Sequence, residues 1–168
     1  MIRRQINHII LFVLLIFLQV IFFNNIQFSF LIVPYFYVLF VLLLPFETPG
    51  WLLLLSSFLL GIIIDLFSNT LGIHAFATTF VAYVRPAILK SFAPRDGYEP
   101  GTMPRISYYG FYWFLKYTIV MVLIHHTVLF YIEMFKLTDF FYTLLRVILS
   151  TIFTSVFIVI SQYFIMRK

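Results

Sequence analysis

Between Ile9 and Phe23 the chain reads IILFVLLIFLQVIFF, and Gln19 alone interrupts the apolar side chains. Such a run constrains the fold more than any motif. A soluble core cannot bury it together with the similar runs that follow, whereas lipid solvates every outward-facing side chain. Across all 168 residues, 63% are hydrophobic and 10% charged, with a mean hydropathy of +1.06. Soluble domains are roughly half apolar and about a quarter charged. The chain therefore reads as an all-α integral membrane protein, with residues 1–168 forming a single polytopic domain and no length left for a soluble one. Cysteine is absent, which excludes disulfides, thiolate nucleophiles and Cys-bound metals.

Breakers divide the sequence into six expected spans: Ile6–Phe23, Phe28–Leu44, Trp51–Leu66, Leu71–Leu89, Phe111–Ile132 and Phe140–Ile165. The second is interrupted by Pro34 and closed by Pro45, so a kinked or re-entrant segment is an alternative to a full span. The basic, then apolar start resembles a signal peptide. No alanine precedes Ala75, so cleavage is not expected. The net charge of +5 is topogenic rather than a nucleic-acid footprint. With the N-terminus inside, Arg3, Arg4, Arg85, Lys90, Arg95, Arg105, Lys116, Arg167 and Lys168 fall on the cytoplasmic side, and Lys136 and Arg146 on the other. This asymmetry places both termini in the cytoplasm. The stretch from Lys90 to Gly110, rich in Pro and Gly, cannot hold a long helix. It is a solvated connector whose basic residues, among them Arg85, Lys90, Arg95 and Arg105, attract anionic lipid, or a docking loop for a cytoplasmic partner.

Ionisable groups inside a span cost a few kcal/mol on insertion scales and need a partner or water. On this topology Asp65, His74, His125, His126, Arg146 and the polar Gln19 all fall in the outer leaflet, which points to a polar cluster or an outward-opening cavity. Asp65 and Arg146 are the natural charge pair, fixing span three against span six; Asp65 capping a helix turn is the alternative. His125 and His126 point about 100° apart on a helix and match no metal motif, so hydrogen-bonded interface histidines are expected. His74, at a span start, is expected to be interfacial.

Ser57 and Gly61 form a small-xxx-small pair, and Ala75, Thr79 and Ala82 line one face of the next span, with Gly72 between them. Such faces either close a hairpin or receive a partner's helix. No nucleophile elbow, phosphate-binding loop or dinucleotide fingerprint is present, and Ser56, Ser57, Ser150 and Ser155 lack a base at informative spacing. No catalytic residue, cofactor or metal is expected.

The run from Leu59 to Val84, LLGIIIDLFSNTLGIHAFATTFVAYV, after a span closed by Leu44 and Pro45, resembles the signature of the rod shape-determining MreD family. Gly61, Asp65, Leu71 and Gly72 carry the resemblance, and Ala75, Ala77, Ala82 and Tyr83 suit the helix that follows. The resemblance implies a fold similar to the substrate-binding subunits of energy-coupling-factor transporters. It also implies a noncatalytic scaffold of the cell-elongation complex in the bacterial cytoplasmic membrane. Its implied partners are an MreC-like bitopic protein, MreB filaments and the peptidoglycan synthases. The face bearing Gly61 and Ala75 would meet the partner helix, and Arg85 to Arg105 the cytoplasmic partner. A transporter subunit that captures a vitamin-like solute would share this fold. Such subunits commonly show small residues on their first helix, and Asn7–Val20 has no Gly, Ala or Ser.

Overall fold

The computed structural model describes residues 2–25, 31–134 and 139–166. The side chains of Arg3 and Arg4, together with Lys136, Arg167 and Lys168, lie outside the described residues, and so does the start of the second expected span at Phe28. Helix α1 (Ile2–Leu18) widens into a π-helical turn over Gln19–Phe23. A 3₁₀ turn, Phe36–Val38, leads into the short α2 (Leu39–Leu43). Helices α3 (Gly50–Ser68) and α4 (Ile73–Ser91) form a hairpin, with α4 continuing through Pro86. The short α5 (Ile106–Tyr109), α6 (Phe111–Met134) and α7 (Phe140–Met166) complete the bundle.

Polarity is distributed as a membrane demands. Ile9, Ile10, Val13 and Phe17 of α1, and Leu145, Ile148, Ile152 and Val156 of α7, are exposed. Gln19, Ser57, Thr78, His125, His126, Ser150 and Thr154 are fully buried. Four helical stretches, Ile6–Phe23, Gly50–Ser68, Phe111–Met134 and Phe140–Phe164, are long and apolar enough to cross a membrane. The molecule is a helical, multi-pass membrane protein.

The second expected span is not a long helix. Residues 31–35 carry no helix, and residues 34–44 are all buried at the centre of the bundle. Residues 31–35 thus carry non-helical backbone into the bundle, and only 36–43 are helical. Non-helical backbone at that depth must find partners within the protein. Side chains supply them. Ser150 Oγ accepts from Val33 N at 3.0 Å and donates to Leu31 O at 3.3 Å, and Thr154 Oγ1 accepts from Tyr35 N at 3.2 Å. Gln19 donates through Nε2 to Pro34 O at 3.2 Å and accepts from Tyr37 N through Oε1 at 3.3 Å. Ser150 and Thr154 lie one helical turn apart, so one face of α7 serves both bonds.

The chain turns gather at two ends. Asn24 Nδ2 donates to Ser68 Oγ at 3.3 Å, joining the turns after α1 and α3. At the opposite end Glu47 Oε1 accepts from Gly101 N at 2.9 Å, and Phe46 stacks on Tyr98 with ring centroids 4.1 Å apart.

Candidate functional site

Helix α3 stops where Asn69 takes the left-handed conformation, φ 53°, and α4 starts after Gly72 at φ 80°. The reversal between them needs a residue without Cβ at the second position. Asp65 sits one turn before the end of α3 and is buried. Its Oδ1 accepts from Thr70 Oγ1 at 2.5 Å and from His74 N at 3.1 Å, and its Oδ2 accepts from Ala75 N at 2.9 Å. A carboxylate on the first free amides of α4 satisfies orphan donors and meets the positive end of the helix dipole. The acid is a cap delivered from the neighbouring helix.

The same crossing is tight. A Cβ on Gly61 would lie 2.3 Å from Ala75 Cα and 2.7 Å from His74 O, so only glycine permits this approach. Ser57, Thr78 and Thr79 turn their hydroxyls back onto Leu53 O, His74 O and Ala75 O of their own helices, leaving the facing surfaces smooth. Ser57, Ala75 and Ala82 are buried in the hairpin. Gly61 and Ala75 thus pack on each other, the hairpin-closing alternative for this small-residue face.

Beyond the lock, Tyr37 joins two histidines. Its hydroxyl lies 2.8 Å from His74 Nδ1 and 2.9 Å from His125 Nε2. His125 Nδ1 is buried with no partner among the described residues. A bare lone pair is the cheaper orphan there, so the favoured arrangement has His125 Nε2–H donating to Tyr37 and Tyr37 donating to His74. His126 Nδ1 is 2.9 Å from Val122 O, and its Nε2 is 3.2 Å from Thr154 Oγ1. His74, in the first turn of α4, is buried. Tyr35 packs edge-on against His74, with centroids 4.9 Å apart. Among the described residues no group of three His, Asp or Glu side chains is arranged to hold a metal.

Arg146 does not reach Asp65. Its Nη1 lies 3.0 Å from Glu133 Oε2, its Nη2 donates to Glu133 Oε1 at 3.5 Å, and its guanidinium carbon stands 4.2 Å from the Phe130 ring centroid. The expected Asp65–Arg146 pair is replaced by one between α6 and α7, because the carboxylate of Asp65 is occupied by α4. Arg146, Glu133 and His74 instead share a cavity of about 800 Å³ at the Asn24 end of the bundle, lined also by Asn24, Asn25 and Tyr35.

At the Glu47 end, Arg85 is not a loop residue. It is buried within α4, donating through Nε to Tyr117 Oη at 3.1 Å and through Nη2 to Leu44 O. Tyr117 in turn donates to Leu42 O at 3.2 Å. The Leu44 end of the 31–44 segment is thereby tied to α4 and α6. The connector after α4 is packed as well. Tyr98 donates to Leu89 O at 2.7 Å, Trp113 Nε1 donates to Phe92 O at 2.8 Å, and Tyr98 meets Phe46, Tyr109 and Trp113 edge or face. Lys90 and Arg95 are exposed, and Arg105 is half-buried.

Sequence reasoning did not assign Tyr37, Ser150, Thr154 or Glu133 the partners they have here. A signal existed for three of them. Ser150 and Thr154 recur one turn apart on an apolar helix, and Glu133 and Arg146 carry opposite charges on either side of the α6–α7 turn.

The hairpin lies within a longer stretch that matches a known family. The family model for the rod shape-determining protein MreD matches residues 2–95. The chain belongs to the MreD family. The match covers α1 through α4, including Gly61, Asp65, Gly72 and Arg85, and it gives the protein a role in rod-shape determination. The histidine pair and Arg146 lie beyond the matched part of the MreD chain. No curated protein and no solved structure matches the sequence.

Proposed function

We propose that this protein is a noncatalytic scaffold of the bacterial cell-elongation complex, seated in the cytoplasmic membrane with six crossings and both termini inside. It pairs with an MreC-like bitopic protein and connects MreB filaments to the enzymes of lateral peptidoglycan synthesis. Its bundle is of the kind found in the substrate-binding subunits of energy-coupling-factor transporters.

The observation that carries this reading is the use made of Asp65. An acid inside an apolar bundle is a functional-site hypothesis by default. Here both of its oxygens are committed to Thr70, His74 and Ala75, so its chemistry goes into holding a hairpin. Protein so arranged presents rigid surfaces rather than a reacting centre. Lys90 and Arg95, exposed at the Glu47 end, support a cytoplasmic placement of that end under the positive-inside rule. They are also the residues available to a cytoplasmic partner, since Arg85 is buried.

Depletion of the protein from growing cells tests the reading. Loss of elongation and rounding are expected, with co-purification of the MreC-like partner and crosslinks from Arg95 to a cytoplasmic component. Normal cell shape combined with a new nutrient requirement would overturn the scaffold in favour of solute capture.

A further inference from the structure

The cavity at the Asn24 end is unused by a scaffold. It measures about 800 Å³, within the range of small-molecule sites. Among its described lining residues the charged ones are Glu133 and Arg146, one of each sign and already in contact. Val33, Phe67 and Leu129 give it apolar walls, and Asn24, Asn25 and Ser68 add polar groups toward the turns.

Arg146 is incompletely satisfied. Glu133 takes its two terminal nitrogens, while Nε is buried with no hydrogen-bond partner among the described residues. That atom is closed to the cavity, but each terminal nitrogen keeps a second N–H and the side chain is 13% exposed, so the site has donors for an incoming acceptor. Glu133 is about one-third exposed and retains lone pairs for a donor. A ligand carrying only a negative charge would gain Arg146 but face Glu133. One carrying both signs satisfies each partner and leaves the site neutral.

We propose that this cavity binds a zwitterionic phosphoester, with its phosphate on Arg146 and its ammonium group on Glu133. Two sources share that chemistry: the headgroup of a zwitterionic phospholipid, and a free soluble phosphoester of the same kind. The apolar walls suit the glycerol and first acyl carbons of the former.

The test uses the full-length protein in a nonionic detergent, observed by native mass spectrometry. Phosphatidylethanolamine and phosphatidylglycerol are offered in equal amounts, and glycerophosphoethanolamine alone in a separate arm. Wild type is expected to retain phosphatidylethanolamine over phosphatidylglycerol by about tenfold, the scale of one charge-assisted hydrogen bond. Retention of glycerophosphoethanolamine with similar strength assigns the site to a free solute, and its failure to bind beside a retained lipid assigns it to the membrane. Arg146→Gln is expected to abolish the preference. Because that variant also removes an α6–α7 ion pair, Ser68→Trp serves as a second probe, filling the cavity while leaving both charges in place, and it should reduce binding about tenfold or more. Equal retention of the two lipids by wild type, preference for phosphatidylglycerol, or a preference unchanged in folded Ser68→Trp overturns the proposal.

Discussion

The Oδ2 atom of Asp65 accepts the backbone amide of Ala75 at 2.9 Å, while Oδ1 holds His74 N and the Thr70 hydroxyl. Asp65→Ala strands two buried amides, His74 N and Ala75 N, and frees the part-buried Thr70 hydroxyl. Capping losses run to about 2 kcal/mol, and bonds to a charged acceptor to about 3 kcal/mol. Asp65→Ala is therefore expected to cost about 3 kcal/mol, and Asp65→Asn, which keeps one acceptor oxygen, about half. Thermal unfolding in detergent measures both. Since Arg146 contacts Glu133 instead, combining Asp65→Asn with Arg146→Gln is expected to give additive losses; coupling above about 0.5 kcal/mol would place the two in one network after all.

Gly61 and Gly72 are glycines for different reasons, and substitution separates them. At Gly61 a methyl group meets Ala75 backbone at 2.3 Å, which forces α3 and α4 apart. Overpacking of this kind costs about 1–3 kcal/mol, and Gly61→Ala is expected at the upper end because backbone cannot rotate away. At Gly72 nothing lies within 4 Å, but φ is +80°, so Gly72→Ala costs about 1 kcal/mol of backbone strain. Gly50→Ala, with open space and ordinary φ, should be neutral or slightly stabilising. Folded yield after detergent extraction ranks the three; a Gly61→Ala yield equal to that of Gly50→Ala contradicts the crossing.

Much of this was legible in the sequence, and the hairpin shows why. Its residues are local: Gly61, Asp65, Gly72 and Ala75 lie close together in the chain, so the helix crossing, the cap and the turn are all made by near neighbours in sequence. The membrane character was equally plain, because hydropathy acts on every residue of a span. The failures involve burial of polar groups by distant backbone. Arg85 looked topogenic since nothing in its neighbours reveals that Leu44 O and Tyr117 Oη wait for it. The 31–44 segment looked like a weak helix, because its non-helical backbone is licensed by Ser150, Thr154 and Gln19 from other parts of the chain. Pairing Asp65 with Arg146 matched charge to charge and overlooked backbone amides as the competing partners.

Arg85 should be among the least replaceable residues. Removing the guanidinium leaves Leu44 O without this donor in a buried site, so Arg85→Ala is expected to cost about 3 kcal/mol or more. Arg85→Lys keeps the charge but cannot supply donors to both Leu44 O and Tyr117 Oη in the fixed geometry of a fork, and a loss of about 1–2 kcal/mol is expected. Tyr117→Phe should cost about 1 kcal/mol through Leu42 O. Complementation of cell shape, read beside folded yield, checks the order Ala, Lys, Phe; intact rods with Arg85→Ala would show that this tie is dispensable.

The connector after α4 offers a pH test. Burial, then the neighbouring Tyr117 hydroxyl, push the Tyr98 phenol up from 10.0 to about 12. A raised folded value means that the native state keeps the proton after the unfolded chain has lost it. The contribution of Tyr98 is therefore complete below pH 10.0 and is lost as pH rises toward about 12. Tyr98→Phe removes the bond to Leu89 O, so it should be less stable by about 1 kcal/mol at neutral pH. Its unfolding temperature should also fall less steeply than that of wild type over the alkaline window, and the two curves should converge there. Comparing the pair cancels the titration of lysines and the other tyrosines. Parallel curves across that window would mean that the Tyr98 hydroxyl is solvated, and that the aromatic cluster with Phe46, Tyr109 and Trp113 does not enclose it.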